Sequence, residues 1–441
     1  MTMKSLLLGA AAGIAAISTA QAADLPMTKG EAVEYVKVCS AFGPGFFYIP
    51  GSDTCLKIGG EIRADYRVFG GNGFSRNDDR SAFNTQARVW FDARTETDWG
   101  LLRSYFQINA DSHPISSQGR GGVYNSNTFS IDKAFIQFGG LTAGYAHSFF
   151  GFYDNDYGST IWAPYYAETS TVNLIAYTAQ FGGGFSATLS IEDGRDHKVD
   201  NGIGVDGLTT TGLRGGQQVP DIVGQLRWDQ SWGAIAVQAA AHQSRTAETV
   251  TYYPTGTDPL NAIENPIART NKWGYAVGAT GLIKLPFIDG GHFIVEGQYA
   301  DGATEYLGAN NTFFAHAPGD LFVDGTNGAG AFTVDRAKGW SIVAELGGNI
   351  TPVLNANLVG SYIDTKSDNF IAAVDTHVQE YVIAGNLTYT IVKGLTIGTE
   401  VSYIHSKLKN GLAYDADAET VNVVNDSVNA WQFGVRLKRV F

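Results

Sequence analysis

Fourteen residues decide the fold class: LKIGGEIRADYRVF, Leu56–Phe69. The even-numbered residues carry no charge, whereas most of the odd-numbered ones are charged: Lys57, Glu61, Arg63, Asp65 and Arg67. Because successive side chains of a β-strand point to opposite faces, one face is apolar and the other densely charged. A soluble β-sandwich also alternates, but its outer face is usually a scatter of Ser, Thr and Lys. The pattern therefore favours a strand with lipid on one face and water on the other.

Composition alone does not separate a soluble protein from a membrane barrel. The 441 residues are 44% hydrophobic and 17% charged, with a mean hydropathy of -0.08. A transmembrane barrel whose strands alternate apolar and polar residues also averages to near zero, so periodicity has to decide. The formal net charge of -13 argues against nucleic-acid binding, because an acidic chain repels phosphate.

The N-terminal residues have the features of a secretory signal. Lys4 precedes the apolar run Leu6–Ile17, and Ala20-Gln21-Ala22 is an A-x-A-like cleavage site. The run is too short to cross a bilayer as a helix, which needs about 20 residues. An amphipathic helix of the mature fold is the alternative, but the run has no polar face. We therefore predict export through the periplasm.

We predict three parts: a signal peptide (1–22), an N-terminal leader (23–55) and a transmembrane β-barrel (56–441). The leader contains both cysteines. Since an exported chain meets an oxidising compartment, Cys39 and Cys55 are expected to form a disulfide, which contributes roughly 3 kcal/mol. A metal site is the alternative, but two thiols with no histidine between them supply too few ligands. We predict no metal site and no cofactor.

The alternation continues to the C-terminus and predicts sixteen strands. These are 56–69, 81–96, 101–111, 128–138, 141–149, 171–180, 185–193, 221–230, 233–244, 272–284, 291–300, 338–349, 355–364, 378–391, 394–406 and 428–441. Short turns alternate with long polar connections, two of which are placed at 365–377 and 407–427. An even number of antiparallel strands with this rhythm is typical of outer-membrane barrels, and a lipid-exposed sheet must close. We predict an all-β fold, a closed antiparallel barrel of 16 strands.

The last predicted strand, Val428–Phe441, is amphipathic and ends on an aromatic residue. A terminal aromatic residue on such a strand resembles the signal that the outer-membrane barrel-assembly machinery reads. Phe441 is therefore predicted to be an assembly signal.

Two segments carry a family resemblance: YVKVCSAFGPGFFYIPGSDTCLKIGGEIR, Tyr35–Arg63, and IDKAFIQFGGLTAGYAHSFF, Ile131–Phe150. Over its full mature length the chain resembles the alphaproteobacterial (Rhizobiales-type) porin family, with Ser52 where Thr is expected. The resemblance implies a homotrimeric general-diffusion channel of the outer membrane, in contact with its lipid and lipopolysaccharide. In related porins the loop after the fifth strand folds into the barrel and narrows it.

Basic residues are predicted to line one side of the pore: Arg63, Arg67, Arg88, Arg94, Arg103 and Lys133. Counting along antiparallel strands places Arg63, Arg88 and Lys133 near mid-height with inward side chains, and the others nearer the strand ends. The alternative is that these are ordinary wall charges, because physiological salt screens charges beyond about 8 Å.

The predicted constriction loop is Phe149–Ser170. It carries acidic and aromatic candidates: Asp154, Asp156, Glu168, Tyr153 and Tyr157. The acids are expected to face the basic wall, and neutralising Asp154 and Asp156 together should change the cation/anion permeability ratio. The alternative is a surface loop whose acids bind only water or divalent cations.

The sequence predicts a porin rather than an enzyme. It contains no H-E-x-x-H, G-x-S-x-G or phosphate-loop motif. The predicted function is passive passage of ions and small hydrophilic solutes through a water-filled channel. The alternatives are an outer-membrane barrel that acts as an adhesin or receptor through its long loops, and a barrel hydrolase.

Overall fold

Sixteen long strands form one antiparallel sheet in the computed structural model, which describes residues 37–76, 78–112, 127–199, 209–211, 213–253, 263–313, 319–369, 374–415 and 420–441. The strands are β1 (Cys55–Gly70), β2 (Ser81–Thr97), β3 (Gly100–Ser112), β4 (Asn127–Phe138), β5 (Leu141–His147), β6 (Thr171–Gly182), β7 (Phe185–Glu192), β8 (Asp221–Gln230), β9 (Gly233–Arg245), β10 (Asn271–Lys284), β11 (Asp289–Asp301), β12 (Lys338–Thr351), β13 (Leu354–Asn369), β14 (Val374–Val392), β15 (Leu395–Asp415) and β16 (Thr420–Val440). Each strand pairs with the next in sequence.

The last strand closes the sheet against the first. Residues 61–70 of β1 pair with residues 440–431 of β16, and Arg63 lies opposite Lys438. Beyond β16, Phe441 exchanges two backbone hydrogen bonds with Gly60, with N–O distances of 2.9 and 3.0 Å. Closure pairs the edges that an open sheet would leave exposed to hydrocarbon. The predicted closed barrel of 16 strands is confirmed.

The two faces of the barrel wall differ in polarity. In β1, Ile58 and Ile62 are 49% and 48% exposed, whereas Asp65 and Arg67 are only 5% and 3% exposed. A soluble core would show the reverse arrangement. The barrel therefore presents apolar side chains to its surroundings and keeps its charges inside.

Connections of two to four residues join the strands at one end of the barrel, and most connections at the other end are long. The predicted loops 365–377 and 407–427 were wrong, because β13 to β16 extend through most of them as two hairpins. Pairing continues there, for example between Leu412 and Val423. Polar residues such as Asp368 and Asp426 dominate these extensions, so the apolar alternation that marks a membrane strand disappears although the backbone ladder persists.

Smaller elements lie within the long connections. A three-stranded sheet comprises Thr209–Thr211, Thr249–Tyr253 and Ile263–Pro266, and a hairpin comprises Leu321–Thr326 and Phe332–Arg336. Among the described residues, no helix has the length and apolarity needed to cross a membrane.

The described part of the leader packs against the polar face of β1 and β2 at the end with short turns. The disulfide between Cys39 and Cys55 is present, with a Cα–Cα distance of 6.0 Å, as predicted. Phe46 lies beneath Lys57 and Arg94, whose cationic groups are 5.7 and 5.0 Å from the ring centroid. The predicted signal peptide lies outside the described residues.

Candidate pore constriction

Residues 148–170 connect β5 to β6 and fold into the barrel. They include the helix α1, Tyr153–Asp156. Their backbone and side chains contact inward-facing residues on β8, β11, β12 and β15, far from β5 and β6 around the wall. The predicted inward loop after the fifth strand is therefore confirmed.

Glu400 on β15 holds the tip of this loop. Its carboxylate accepts hydrogen bonds from the backbone N–H groups of Ile161, Trp162 and Ala163, at 2.6, 2.9 and 2.8 Å. Glu400 is only 1% exposed. A carboxylate buried to this extent needs hydrogen-bond donors, and the loop backbone supplies them.

Two further wall carboxylates hold the start of the loop in the same way. Glu296 on β11 accepts from the backbone N–H groups of Phe152 and Tyr153, at 3.3 and 3.2 Å. Glu345 on β12 accepts from the N–H of Ser159 at 2.9 Å and from the hydroxyl of Tyr153 at 2.8 Å. We call Glu296, Glu345 and Glu400 the carboxylate clamp. The clamp was not predicted, because alternation marks these residues only as inward-facing acids.

Trp162 reaches from the loop tip to β1 and β16. Its indole N–H donates to Asp65 at 3.0 Å, and Arg436 donates to both oxygens of Asp65 at 2.8 and 2.6 Å. The guanidinium groups of Arg436 and Arg67 lie 5.0 and 5.7 Å from the indole. Gly434 makes this approach possible, since a Cβ there would lie 2.7 Å from the ring. The loop therefore crosses the lumen and ends against the basic side of the wall.

Three of the predicted basic residues gather beside this contact. Arg63 forms an ion pair with Glu61, and Arg88 lies 3.7 Å from the same carboxylate. Arg63 and Arg67 line a cavity of about 140 Å³ together with Arg436. Their side chains keep partial access to the lumen, with 18% exposure for Arg63 and 24% for Arg88.

Two other basic residues form a separate group nearer the short turns. Arg94 and Arg103 both bind Asp92, each through two hydrogen bonds of 2.7 to 3.1 Å. Lys133 on β4 has Asp132 and Asp154 as its main electrostatic neighbours. The six predicted basic residues are thus divided among three places on the wall.

Arg436 and Lys438 were not predicted to lie at the constriction. Both lie on the charged face of the last strand, so their inward direction was evident. Their position beside Arg63 depends on the register in which β16 closes on β1, and alternation within one strand contains no information about that register.

The hydrogen-bond and ion-pair partners of the loop acids near α1 lie outside the predicted basic wall, although Lys133 is an electrostatic neighbour of Asp154. Asp154 accepts a hydrogen bond from the hydroxyl of Tyr165 and lies 3.3 Å from Nδ1 of His147. Asp156 forms an ion pair with Arg227 on β8 at 2.8 Å. Arg227 also lies 3.0 Å from a carboxylate oxygen of its neighbour Asp229. Among the described residues, no ion pair joins these acids to the six predicted basic residues.

The remaining loop candidates are also held by the wall or by neighbouring loops. Glu168 is 5% exposed and lies 3.4 Å from Nε2 of His197. The ring of Tyr157 lies 4.8 Å from that of His292. Whether the loop acids act across the pore on the basic wall stays a prediction.

A closed barrel with an inward loop defines a porin-type channel fold. Residues 24–432 match a family model described as the Porin subfamily, and the chain belongs to that family. This agrees with the predicted family and places the protein in the outer membrane.

Similar proteins agree with this family. The chain is 38% identical over 243 residues to Porin Omp2b of Brucella suis biovar 1 and 37% identical to that of Brucella melitensis biotype 1. Each match covers 54% of this chain and 65% of the relative, just under two thirds of its length. The fold is similar to that of the outer membrane channel DcaP of Acinetobacter baumannii, with a TM-score of 0.58 and 15% identity, over 89% of this chain and 99% of that one.

Proposed function

We propose that the protein is a general-diffusion porin, a water-filled channel for passive passage of ions and small hydrophilic solutes. The observation that supports this most directly is the loop 148–170, which the carboxylate clamp fixes across the lumen. A barrel of 16 strands is too wide for side chains to fill, so an inward loop narrows the water-filled space without closing it. Passage is then hindered diffusion, without catalysis.

We infer that selectivity arises beside Trp162. Basic side chains slightly outnumber acids on this part of the wall: Arg63, Arg67, Arg88, Arg436 and Lys438 lie among Glu61, Asp65, Asp111 and Glu400. Charges lining the narrowest part of a channel decide which ions pass. The loop acids Asp154, Asp156 and Glu168 are proposed to supply the opposite charge on the other side.

We further propose the assembly and export that accompany this function. Residues 1–22 act as a signal peptide, and Phe441 is read by the barrel-assembly machinery. The mature chain forms a homotrimer in contact with lipid and lipopolysaccharide.

Planar bilayer recording of the purified, folded protein tests the proposal. We expect ohmic conductance that scales with salt concentration, and three equal steps for each inserted trimer. Liposome swelling should slow as the supplied sugar becomes larger. A heat-denatured sample is the control. Absence of conductance from protein that is demonstrably folded would contradict the porin function and favour the adhesin or receptor alternative.

A further inference from the structure

Seven ionisable side chains are buried together beneath the long loops, at the end of the constriction loop. We call this set the buried charge cluster: Glu168, Glu192, His197, Arg214, Asp221, His242 and Asp320. Each side chain is at most 7% exposed. The residues come from the end of the constriction loop, from β7, β8 and β9, and from the β7–β8 and β11–β12 connections. The cluster therefore joins three loops to the barrel wall.

His197 lies among three carboxylates. Its Nδ1 is 3.3 Å from Asp221, and its Nε2 is 3.4 Å from Glu168 and 3.6 Å from Glu192. Tyr306 of the β11–β12 connection stacks on the imidazole with ring centroids 4.4 Å apart, and its hydroxyl donates to Asp221 at 2.9 Å. A cationic ring offsets the negative charge of this group of buried acids.

The hydrogen-bond partners of the other histidine, His242, set its tautomer. Arg214 can only donate, so His242 Nε2 accepts its hydrogen bond, at 3.0 Å. The proton of His242 then resides on Nδ1, which donates to Asp221 at 2.8 Å. Arg214 also pairs with Asp320 at 2.6 Å.

We propose that protonated His197 fastens the 193–199 and 302–313 segments and the end of the constriction loop to the wall, and that loss of its proton releases them. Release would leave Glu168 without its cationic partner, three residues before β6 begins. The proposal concerns control of the pore entrance and goes beyond diffusion through the constriction. We call this arrangement the His197 latch.

The ionisation of neighbouring groups sets the direction of the pH response. Burial alone would lower the pKa of His197, but the adjacent carboxylates of Asp221, Glu168 and Glu192 raise this pKa well above its usual value. Burial raises the pKa of Glu305, in the β11–β12 connection, to about 8. Asp196 also lies within electrostatic range of His197.

A raised histidine pKa makes a stabilising contribution that is complete below the unfolded value of about 6.5 and is lost as pH rises through the folded value. Glu305 acts in the same direction, because above about pH 8 it becomes a further buried anion. The latch is therefore closed in acid and at neutrality, and opens in the alkaline range.

Hydrogen exchange on the folded full-length chain in detergent, from pH 6 to pH 10, tests the latch. After correction for intrinsic rates, we expect amides of segments 193–199 and 302–313 to exchange at least about tenfold faster at the alkaline end, since one pKa unit corresponds to a tenfold change. H197Q should show the fast rate already at pH 6. H377Q is the matched control, because His377 pairs with Asp364 outside the cluster.

A second variant separates lost charge from damaged packing. E192Q removes one acid beside His197, so the alkaline release should move to lower pH while the loops stay protected at pH 6. Wild-type exchange that does not rise by pH 10, an H197Q profile equal to that of H377Q, or an unshifted E192Q profile would each overturn the latch. The readout does not require conductance, so it remains decisive even if the proposed porin function fails.

Discussion

Asp65 is the residue at which the loop, the first strand and the last strand meet. It accepts hydrogen bonds from Trp162 and from Arg436, and it is 5% exposed. A buried carboxylate with these partners fixes the position of both side chains, because removing either would leave a poorly compensated charge. The charges that remain accessible to solutes beside it, above all Arg63 and Arg88, are therefore the ones most open to functional adjustment.

Replacing Arg63 and Arg88 together by Gln should lower the anion/cation permeability ratio. Two cations are lost from one side of the constriction, and screening over about 8 Å limits the expected change to about twofold. Reversal potentials across planar bilayers under a KCl gradient measure it. R269Q is the control, because Arg269 is 80% exposed on a long loop, where it pairs with Glu248. A reversal potential equal to that of the control would remove these arginines from the selectivity mechanism.

For single residues, the sequence predicted the direction in which a side chain points but not the residues that it contacts. Alternation in β1 and β2 correctly indicated that Arg63, Arg67 and Arg88 point inward. The contact between Arg436 and Asp65 forms only when the barrel closes. The contact between Trp162 and Asp65 depends on the path of the constriction loop, whose sequence has no periodicity. Neither is encoded within a single strand.

The conformation of the constriction loop is determined by residues of the barrel wall. Its helix α1 has four residues, too few to be stable in isolation, and the loop has no sheet partner of its own. The carboxylate clamp provides the missing hydrogen-bond acceptors for its backbone. The sequence predicted the presence of the loop through family resemblance, whereas the clamp depends on contacts between residues more than 140 positions apart.

E400Q should loosen the tip of the loop. A neutral amide oxygen accepts more weakly than a carboxylate, and hydrogen bonds to a charged group contribute about 1.5–3 kcal/mol. We expect amide exchange at Ile161–Ala163 to accelerate by about tenfold or more, with noisier open-channel current. E248Q, at an exposed site on a long loop, is the control. Unchanged exchange at the tip would show that Glu400 does not hold it.

The strands themselves were predicted well wherever lipid contact imposes alternation. All sixteen occur where expected, with boundaries shifted by a few residues. The exceptions are the extensions of β13 to β16. Strand pairing continues there among polar residues, and apolar residues no longer alternate with polar ones.

The whole barrel depends on the junction between β1 and β16. Phe441 completes that junction with backbone hydrogen bonds to Gly60, while its ring remains 66% exposed. An exposed ring contributes little to folding stability, so the proposed role of Phe441 in assembly can be tested separately from folding.

F441A should therefore reduce the amount of folded protein in the outer membrane several-fold, while refolding of purified protein in detergent is unaffected. Immunoblotting of membrane fractions with and without heating measures the folded and the unfolded protein. F287A is the matched control. Phe287 is also a phenylalanine, is 79% exposed, and lies in a short turn at the same end of the barrel. Equal losses in both variants would argue against a terminal signal.

The carboxylate clamp has one more consequence. Apart from the hydroxyl of Tyr153, it binds main-chain N–H groups, which every residue except proline possesses, so most side chains of the loop do not affect its hydrogen bonds. Mutational drift can therefore exchange residues such as Ile161 while the route of the polypeptide is preserved. Proteins with this loop can therefore change the selectivity of the constriction by single substitutions, while the backbone path of the loop stays the same.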